Sequence, residues 1–529
     1  MAHLIQEFIF QSAQRTPLAP ALRYQGVPLS YAALAQAVRA AAGAMLALGL
    51  GRGERVAVYL EKREEAVVAM FGAAAAGAVF VPVNPLLKPE QLAYILNDCN
   101  ARLLVTSRER LRLLLDVLPA CADLHTVLVV GAEAAAPPLV SCLRFVAWSE
   151  CLAHAPPGAP HRAIDCDMAA ILYTSGSTGM PKGVVLSHRN LVAGADSVAS
   201  YLGNTAQDRI LCVLPLSFDY GLSQLTTAFS RGACAVLMNY LLLRDIVETV
   251  EQEGITALAA VPPLWIQLSQ LSWPALPGLR YITNSGGAMQ RGTLDKLRAA
   301  LPHTRIYLMY GLTEAFRSTY LAPEQLDARP DSIGKAIPNA EVMVLRPDGS
   351  ACGSGEPGEL VHRGALVAMG YWNDRERTAE RFRPLPPRQD GLALGELAVW
   401  SGDTVRSDAE GFLYFVGRND EMIKTSGYRV SPTEIEAVVY ATGLVGEAAA
   451  IGVSHPVLGQ AIALLATAAP GVALERQALM AACKAKLPAY MAPAWIEVRA
   501  GALPRNPNGK IDRKLLAAEL ADLFCGGAR

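Results

Sequence analysis

Charge is scarce in these 529 residues. Asp, Glu, Lys and Arg make up 18% of the chain, below the roughly 25% usual for soluble proteins, and 47 basic against 48 acidic side chains leave a net charge of -1. No long run of one sign occurs, which argues against a nucleic-acid partner, since such proteins carry a basic stripe or patch. Cysteine pairs are also missing. The ten cysteines are scattered, with no C-x-x-C and no histidine cluster beside them, so zinc is not expected. A chain of this length does not need disulfide staples, and the expectation is buried thiols in a reducing, cytoplasmic compartment. The opening Met1-Ala2-His3-Leu4-Ile5-Gln6-Glu7 lacks the basic-then-apolar order of a signal peptide. No internal repeat is present. One uncharged stretch, Ala66 to Val83, has 18 residues, the lower limit for a membrane span. It is mostly alanine and glycine, follows five charged residues from Glu61 to Glu65, and ends beside Pro82. It reads better as a buried helix to about Gly77 and a short strand Val79-Phe80-Val81.

Apolar residues, by contrast, are abundant. At 52% of the chain they exclude a largely disordered protein and predict a large core. The length exceeds what one core usually supports, so two or more domains are expected. The first half alternates helical and strand signals: a helix from Ser30 to Leu48 stopped by Gly49 and Gly51, a strand Arg55 to Leu60, a strand Leu103 to Thr106, a helix Arg108 to Leu118 and a strand Thr126 to Val130. Such alternation predicts an α/β domain with largely parallel sheets. Ala134 to Pro160, rich in Ala and Pro, reads as a surface connection. From Asp331 to Gly417, strand-like pieces separated by glycine turns predict a smaller β-rich subdomain. After Asp420, helix Pro432 to Tyr440, strand Ala448 to Val453 and helix Leu474 to Lys486 are enough for a small α+β domain.

The most informative run is Ile171-Leu172-Tyr173-Thr174-Ser175-Gly176-Ser177-Thr178-Gly179-Met180-Pro181-Lys182-Gly183. Four hydroxyls and two glycines within six residues follow an apolar strand and precede a lysine. Glycines admit close approach of backbone to ligand, hydroxyl and N–H donors suit phosphate oxygens, and Lys182 adds charge. It is not a Walker A loop, because Gly176 and Gly179 are too close together and Gly183 stands where Ser or Thr belongs. A shorter Ser/Thr/Gly match reads as well as a flexible turn.

This run resembles the phosphate-binding signature of the adenylate-forming superfamily: acyl-CoA synthetases, aryl-CoA ligases, firefly luciferase and the adenylation domains of nonribosomal peptide synthetases. The resemblance recurs in order along most of the chain. Ser285-Gly286-Gly287-Ala288 is similar to the adenine-contacting loop, Tyr310-Gly311-Leu312-Thr313-Glu314 to the Y-G-x-T-E motif, and Ser401-Gly402-Asp403 to [ST]-G-D. Gly417-Arg418-Asn419-Asp420 with the run Ile423 to Val430 resembles the inter-domain segment, and Pro504 to Lys510 the catalytic-lysine loop. In general texture the chain is nearest to ligases of bacterial exosortase and exopolysaccharide systems.

The resemblance implies an N-terminal adenylation domain over 1–419, a hinge at Asp420 and a mobile C-terminal domain over 421–529. It implies Glu314 as the Mg²⁺ ligand. Thr313 and Lys182, with Thr174, Ser175, Gly176, Ser177, Thr178 and Gly179, handle the ATP phosphates. Gly286, Gly287, Ala288, Tyr310 and Gly311 receive the adenine side, and Asp403 and Arg418 hold the ribose. Lys510 bridges the acyl carboxylate and the α-phosphate, and Gly427 lines the pantetheine tunnel. The implied reaction joins a carboxylic acid to ATP, releases pyrophosphate, and passes the acyl group to coenzyme A. The rival acceptor is the phosphopantetheine of a carrier protein, loaded with an amino acid. Cations placed in advance suit the charge that grows on phosphorus oxygens. Phe218 resembles the family's acyl-pocket gate. Asp219, where many acyl-CoA ligases carry an apolar residue, resembles the aspartate that holds an ammonium group in amino-acid-activating domains; it reads equally as a solvated or capping residue. Met309 and Trp265 are either pocket lining or plain core. Lys510 also lies in a setting similar to that of acetylated lysines in related synthetases, and acetylation deletes its charge.

Overall fold

Val56, Val58, Val79, Val81, Leu104 and Val127 are all buried, and strands apolar on both faces belong in the middle of a covered parallel sheet. The computed structural model describes residues 2–131, 143–153, 160–174, 181–385, 395–418, 422–425, 428–455, 458–487, 491–506 and 509–524. It divides into two units, Met1–Val342 with His362–Trp400, and Met343–Val361 with Ser401–Arg529.

The first unit holds two large sheets. One has eight strands in the order Gly370–Tyr371, Lys182–Ser187, Met168–Thr174, Val79–Pro82, Arg55–Tyr59, Ala101–Ser107, Thr126–Val130 and Arg144–Ala147. Its strands run parallel except at the 370–371 end, where neighbours are antiparallel. The other has nine strands, with Arg209–Cys212, Ala257–Ala260, Tyr281–Asn284 and Arg305–Tyr310 adjacent and parallel in its middle. Antiparallel strands Thr319–Leu321 and Lys335–Ala336 close one side. The fold is therefore mixed α/β, as the alternation predicts.

The long uncharged run is a buried helix and strand. Glu64–Ala76 is helical, with Glu64 and Glu65 in its first turn at the positive end of the dipole, and it ends at Gly77 with φ +81. Strand Val79–Pro82 follows. Small residues have a packing reason here: a Cβ on Gly72 would stand 2.7 Å from the Cβ of Ala41 on helix Tyr31–Ala47. That second helix starts where Ser30 Oγ accepts the Ala33 N–H. Among the described residues no helix is long and apolar enough to cross a membrane.

Three expectations need correction. Helix Arg108–Leu114 stops four residues short of Leu118, which instead opens a 3₁₀ turn Leu118–Ala120 at Pro119. The supposed surface connection contains strand Arg144–Ala147, paired parallel with Thr126–Val130, and helix Trp148–Ala153 with Trp148 buried. The aromatic and β-branched pair Phe145-Val146 completes the sheet edge, a signal masked by the surrounding Ala and Pro. Thiols are not uniformly buried: Cys99, Cys121, Cys212, Cys234 and Cys483 are, while Cys166 is exposed.

In the second unit, strands Val445–His455 and Gly459–Ala468 form a long antiparallel pair, Trp495–Arg499 joins it in parallel, and Ile423–Thr425 and Tyr428–Val430 extend it. Helices Pro432–Tyr440 and Arg476–Lys486 bring Ile435, Val439 and Leu479 against one face. Helix Arg513–Glu519 places Leu516 in the apolar cluster on the other. Asp403–Ser407 of strand Leu397–Ser407 pairs antiparallel with Leu413–Arg418.

Candidate active site

Strand Met168–Thr174 returns antiparallel as Lys182–Ser187, and the last pair in register is Thr174 with Lys182. The hydroxyl loop is the connection between those two residues. Thr174 Oγ1 is buried at the loop's edge with no hydrogen-bond partner among the described residues. Lys182 points to the residues that follow strand Arg305–Tyr310: its Nζ lies 2.9 Å from Glu314 Oε1 and 2.9 Å from the Tyr371 hydroxyl oxygen. Tyr371 in turn donates to Glu314 Oε1 at 2.6 Å. The lysine ammonium also sits 4.3 Å from the centre of the Tyr371 ring, within cation–π range. Tyr371 is held there by its strand, which pairs Tyr371 with Val184, and by Thr378 Oγ1, which accepts the Tyr371 N–H at 3.0 Å.

Burial alone would push the Glu314 carboxyl up. The neighbouring Lys182 charge and the two hydrogen bonds outweigh it and bring the carboxyl down to about 2. Glu314 is therefore an anion at any physiological pH, in a setting where its two partners are a cation and a hydroxyl.

The backbone after Glu314 is strained. Phe316 has φ +55 and ψ -48 with its ring fully buried, a conformation bulky L-residues rarely adopt. Through this turn Glu314 and Arg317, three residues apart, are both held inside the unit. Arg317 Nη1 donates to Ser285 Oγ at 3.1 Å, next to Gly286, Gly287 and Ala288, which are exposed. Asn284 Nδ2 donates to Gly287 O at 2.9 Å and braces that loop. Gly311 is closely approached: a Cβ there would stand 3.1 Å from the Arg317 Cα.

Residues 9–372 match the AMP-binding enzyme family, and residues 434–510 match the AMP-binding enzyme C-terminal domain. The chain belongs to this family. A linear gramicidin synthase of Brevibacillus parabrevis is 32% identical over 515 residues, which are 96% of this chain but only 6% of that protein's length. Two relatives match over nearly their whole length. The 4-coumarate–CoA ligase 2 of Oryza sativa subsp. japonica is 30% identical, with 98% of this chain and 93% of that one aligned. The L-proline–(L-prolyl-carrier protein) ligase of Pseudomonas fluorescens is 31% identical over 98% of this chain and 99% of that one. A benzoate CoA ligase structure from Burkholderia xenovorans LB400 superimposes with a TM-score of 0.84 at 26% identity, over 97% of this chain and 99% of that chain. The protein is thus an adenylate-forming AMP-binding enzyme of the superfamily its motifs resemble.

In this AMP-binding enzyme Thr174, Lys182, Gly286, Gly287, Ala288, Tyr310, Gly311, Thr313, Glu314 and Met309 all belong to the first unit. Met309 is buried and accepts a hydrogen bond from the Tyr201 hydroxyl at 2.9 Å. Phe218 immediately precedes helix Asp219–Arg231 and makes no side-chain capping bond, and Asp219 is the helix's first, half-buried residue. Trp265 is core: fully buried, it donates from Nε1 to Thr283 O at 3.0 Å. In the second unit, buried Asp403 faces Arg418 across an antiparallel strand pair, Oδ1 to Nη1 3.2 Å. Lys510 is exposed, on a short loop: its N–H reaches Asn506 Oδ1 at 3.1 Å, its carbonyl accepts the Asn506 N–H at 2.8 Å, and Arg505 pairs with Glu447. Ser175, Gly176, Ser177, Thr178, Gly179, Asp420 and Gly427 lie outside the described residues.

Sequence reasoning missed Tyr371 and Arg317. Nothing in Gly370-Tyr371-Trp372 announces chemistry, since Tyr371 reaches Lys182 only through strand pairing. Arg317 had a signal: a charged residue in the mostly apolar-and-hydroxyl run Ala315-Phe316-Arg317-Ser318-Thr319, directly after the Y-G-x-T-E motif.

A magnesium ion fits Glu314. Among the described residues no cluster of three or more Asp, Glu, His or Cys could hold a metal, and Mg²⁺ that arrives on ATP uses one or two carboxylates with phosphate oxygens and water. One carboxylate ionised near neutrality, beside Lys182, is compatible with that donor set.

Proposed function

We propose that the protein is an AMP-forming acid–thiol ligase: it joins a carboxylic acid to ATP as an acyl-adenylate with loss of pyrophosphate, then transfers the acyl group to coenzyme A. The observation that carries this reading is the Lys182–Glu314–Tyr371 cluster at the end of the hydroxyl loop. Attack of the acid oxygen on the α-phosphorus breaks the bond to pyrophosphate and shifts negative charge onto the leaving phosphates. Lys182 neutralises part of that charge, and its pairing with Glu314 keeps it aimed without substrate. Glu314 would hold the magnesium that accompanies ATP, which would supply charge neutralisation at the phosphates, and Lys182, released from that carboxylate, would pair with the phosphate oxygens. Tyr371 keeps Glu314 oriented during the exchange of partners. Asp403 and Arg418 hold the ribose hydroxyls, Thr313 and Thr174 add hydroxyls to the phosphates, and Lys510 brings the last cation to the reacting carboxylate. The C-terminal domain, 421–529, then turns about Asp420 and withdraws Lys510, so that the thiol reaches the mixed anhydride past Gly427 while water stays excluded.

A second acceptor has support of its own. Asp219 at the start of helix Asp219–Arg231 suits a substrate ammonium, and the relative matched end to end in Pseudomonas fluorescens is named as a carrier-protein ligase. Incubation with ATP, Mg²⁺ and a panel of fatty, aryl and amino acids, with coenzyme A in one arm and a phosphopantetheinylated carrier protein in the other, separates the two by mass spectrometry. Acyl-CoA formation supports the first reading. Acylation of the carrier alone, with amino acids alone, replaces it by the second.

A further inference from the structure

Arg317 is 1% exposed, yet the described residues give it no carboxylate. One of its three nitrogens, Nη1, binds Ser285 Oγ; Nε and Nη2 have no hydrogen-bond acceptor among the described residues. The guanidinium lies 4.7 Å from the centre of the Tyr220 ring, which offers a π-face but no lone pair for the remaining donors. A buried cation without a counter-ion is unfavourable. The same residue lines a small, partly open cavity of about 30 Å³ together with Tyr220, Gln224, Thr227, Thr283 and Met309. Two of those neighbours repeat the pattern. Gln224 and Thr227, 4% and 3% exposed, have side-chain amide and hydroxyl atoms with no partner among the described residues. The cavity is thus surrounded by more unused donors than acceptors, and the open side of the guanidinium, Nε with Nη2, is the edge that grips a carboxylate in a bidentate pair.

Placement adds the second argument. Arg317 is held by the strained turn at Phe316, and its Nη1 stands 3.5 Å from where a Cβ on Gly311 would be, so the guanidinium lies beside the loop that carries Glu314. From these observations we infer that Arg317, assisted by Gln224 and Thr227, receives a second carboxylate on the acid being activated, so that the preferred substrate is a short dicarboxylic acid, amino diacids included. This rests on the adenylation reading above and names its substrate class. A cavity of this size has room for the head of a functional group beside Arg317.

The test is acid-dependent ATP–pyrophosphate exchange by the full-length protein with matched pairs: succinate and butyrate, glutarate and valerate, L-glutamate and L-norvaline. The wild-type protein is expected to favour at least one diacid over its partner by roughly a hundredfold or more in kcat/KM, the discrimination of a site whose buried polar groups are left unpaired by the wrong ligand. Arg317→Met should abolish that ratio whatever it does to the absolute rate with the monoacid, and Arg317→Lys should restore part of it. Ratios near one or in favour of the monoacid in the wild-type protein overturn the inference without touching adenylation itself, and they decide the matter if the variant does not fold. An equal loss for both members of each pair in folded Arg317→Met also overturns it. Absence of exchange with every acid, mono or di, brings down the adenylation reading and this inference with it.

Discussion

The ring of Phe316 fills the space that a side chain on Gly194 would need. A Cβ there would stand 2.5 Å from Phe316 Cδ1 and 2.9 Å from Cε1, and Phe316 is already held at a positive φ. Gly194→Ala must therefore move a ring that sits between Glu314 and Arg317 in the chain. Overpacking of this kind costs about 1–3 kcal/mol. Urea denaturation should show a loss in that range, and exchange activity should fall further than stability requires. An unchanged midpoint would mean that the turn at Phe316 is soft.

Tyr371→Phe removes a hydroxyl that donates to Glu314 and accepts from Lys182. The Glu314 carboxyl, now at about 2, should titrate higher, because one of the bonds that favours the anion is gone. Exchange near neutrality should persist, while the acid limb of the rate profile moves to higher pH. An acid limb that stays in place would remove Tyr371 from the cluster's electrostatics.

Two buried histidines set an acid limit on the first unit. His188 accepts the Ile5 N–H on Nδ1 at 3.2 Å, and His362 Nδ1 lies 2.9 Å from Ser318 Oγ. Burial brings both down from 6.5 to about 4. Between these values the unfolded chain binds protons that the folded chain refuses, so stability falls as pH drops from 6.5 toward 4. The loss is on the order of 2–3 kcal/mol per histidine. Urea midpoints at pH 7 and pH 5 should differ accordingly, and His362→Gln should reduce the difference. Glu314 acts in a lower window, its contribution being lost only as pH falls from 4.5 toward 2. A flat urea midpoint from pH 7 to pH 5 would contradict the assignment.

Lys510 is exposed on a loop braced by backbone and by Arg505–Glu447, so Lys510→Ala should change stability by less than ~0.5 kcal/mol. Adenylation should fall roughly a hundredfold or more, and thioester formation from supplied acyl-adenylate should continue. Equal losses in both steps would contradict a C-terminal domain that changes partners between half-reactions.

Much of this was legible before the fold. The Ser30 cap, the Gly77 stop, strand Thr126–Val130 and helix Pro432–Tyr440 stand where local chemistry puts them, because caps, glycine and periodicity act within a few residues. Strand Arg144–Ala147 was hidden because its reason for being a strand is its neighbour Thr126–Val130. The same holds for the site. Lys182 and Glu314 belong to contiguous motifs, whereas Tyr371 joins them across 189 positions. The unmet donors of Arg317 are a property of burial, which spacing alone does not encode.

The central claim is that the Lys182–Glu314 pair serves acid activation by ATP, and acid-dependent ATP–pyrophosphate exchange in Mg²⁺ measures it most directly. The wild-type protein should exchange with at least one acid of a broad panel, and Glu314→Gln should lower that rate by roughly 10²–10³ with its fold intact. No exchange with any acid, or an undiminished rate in Glu314→Gln, would contradict the account.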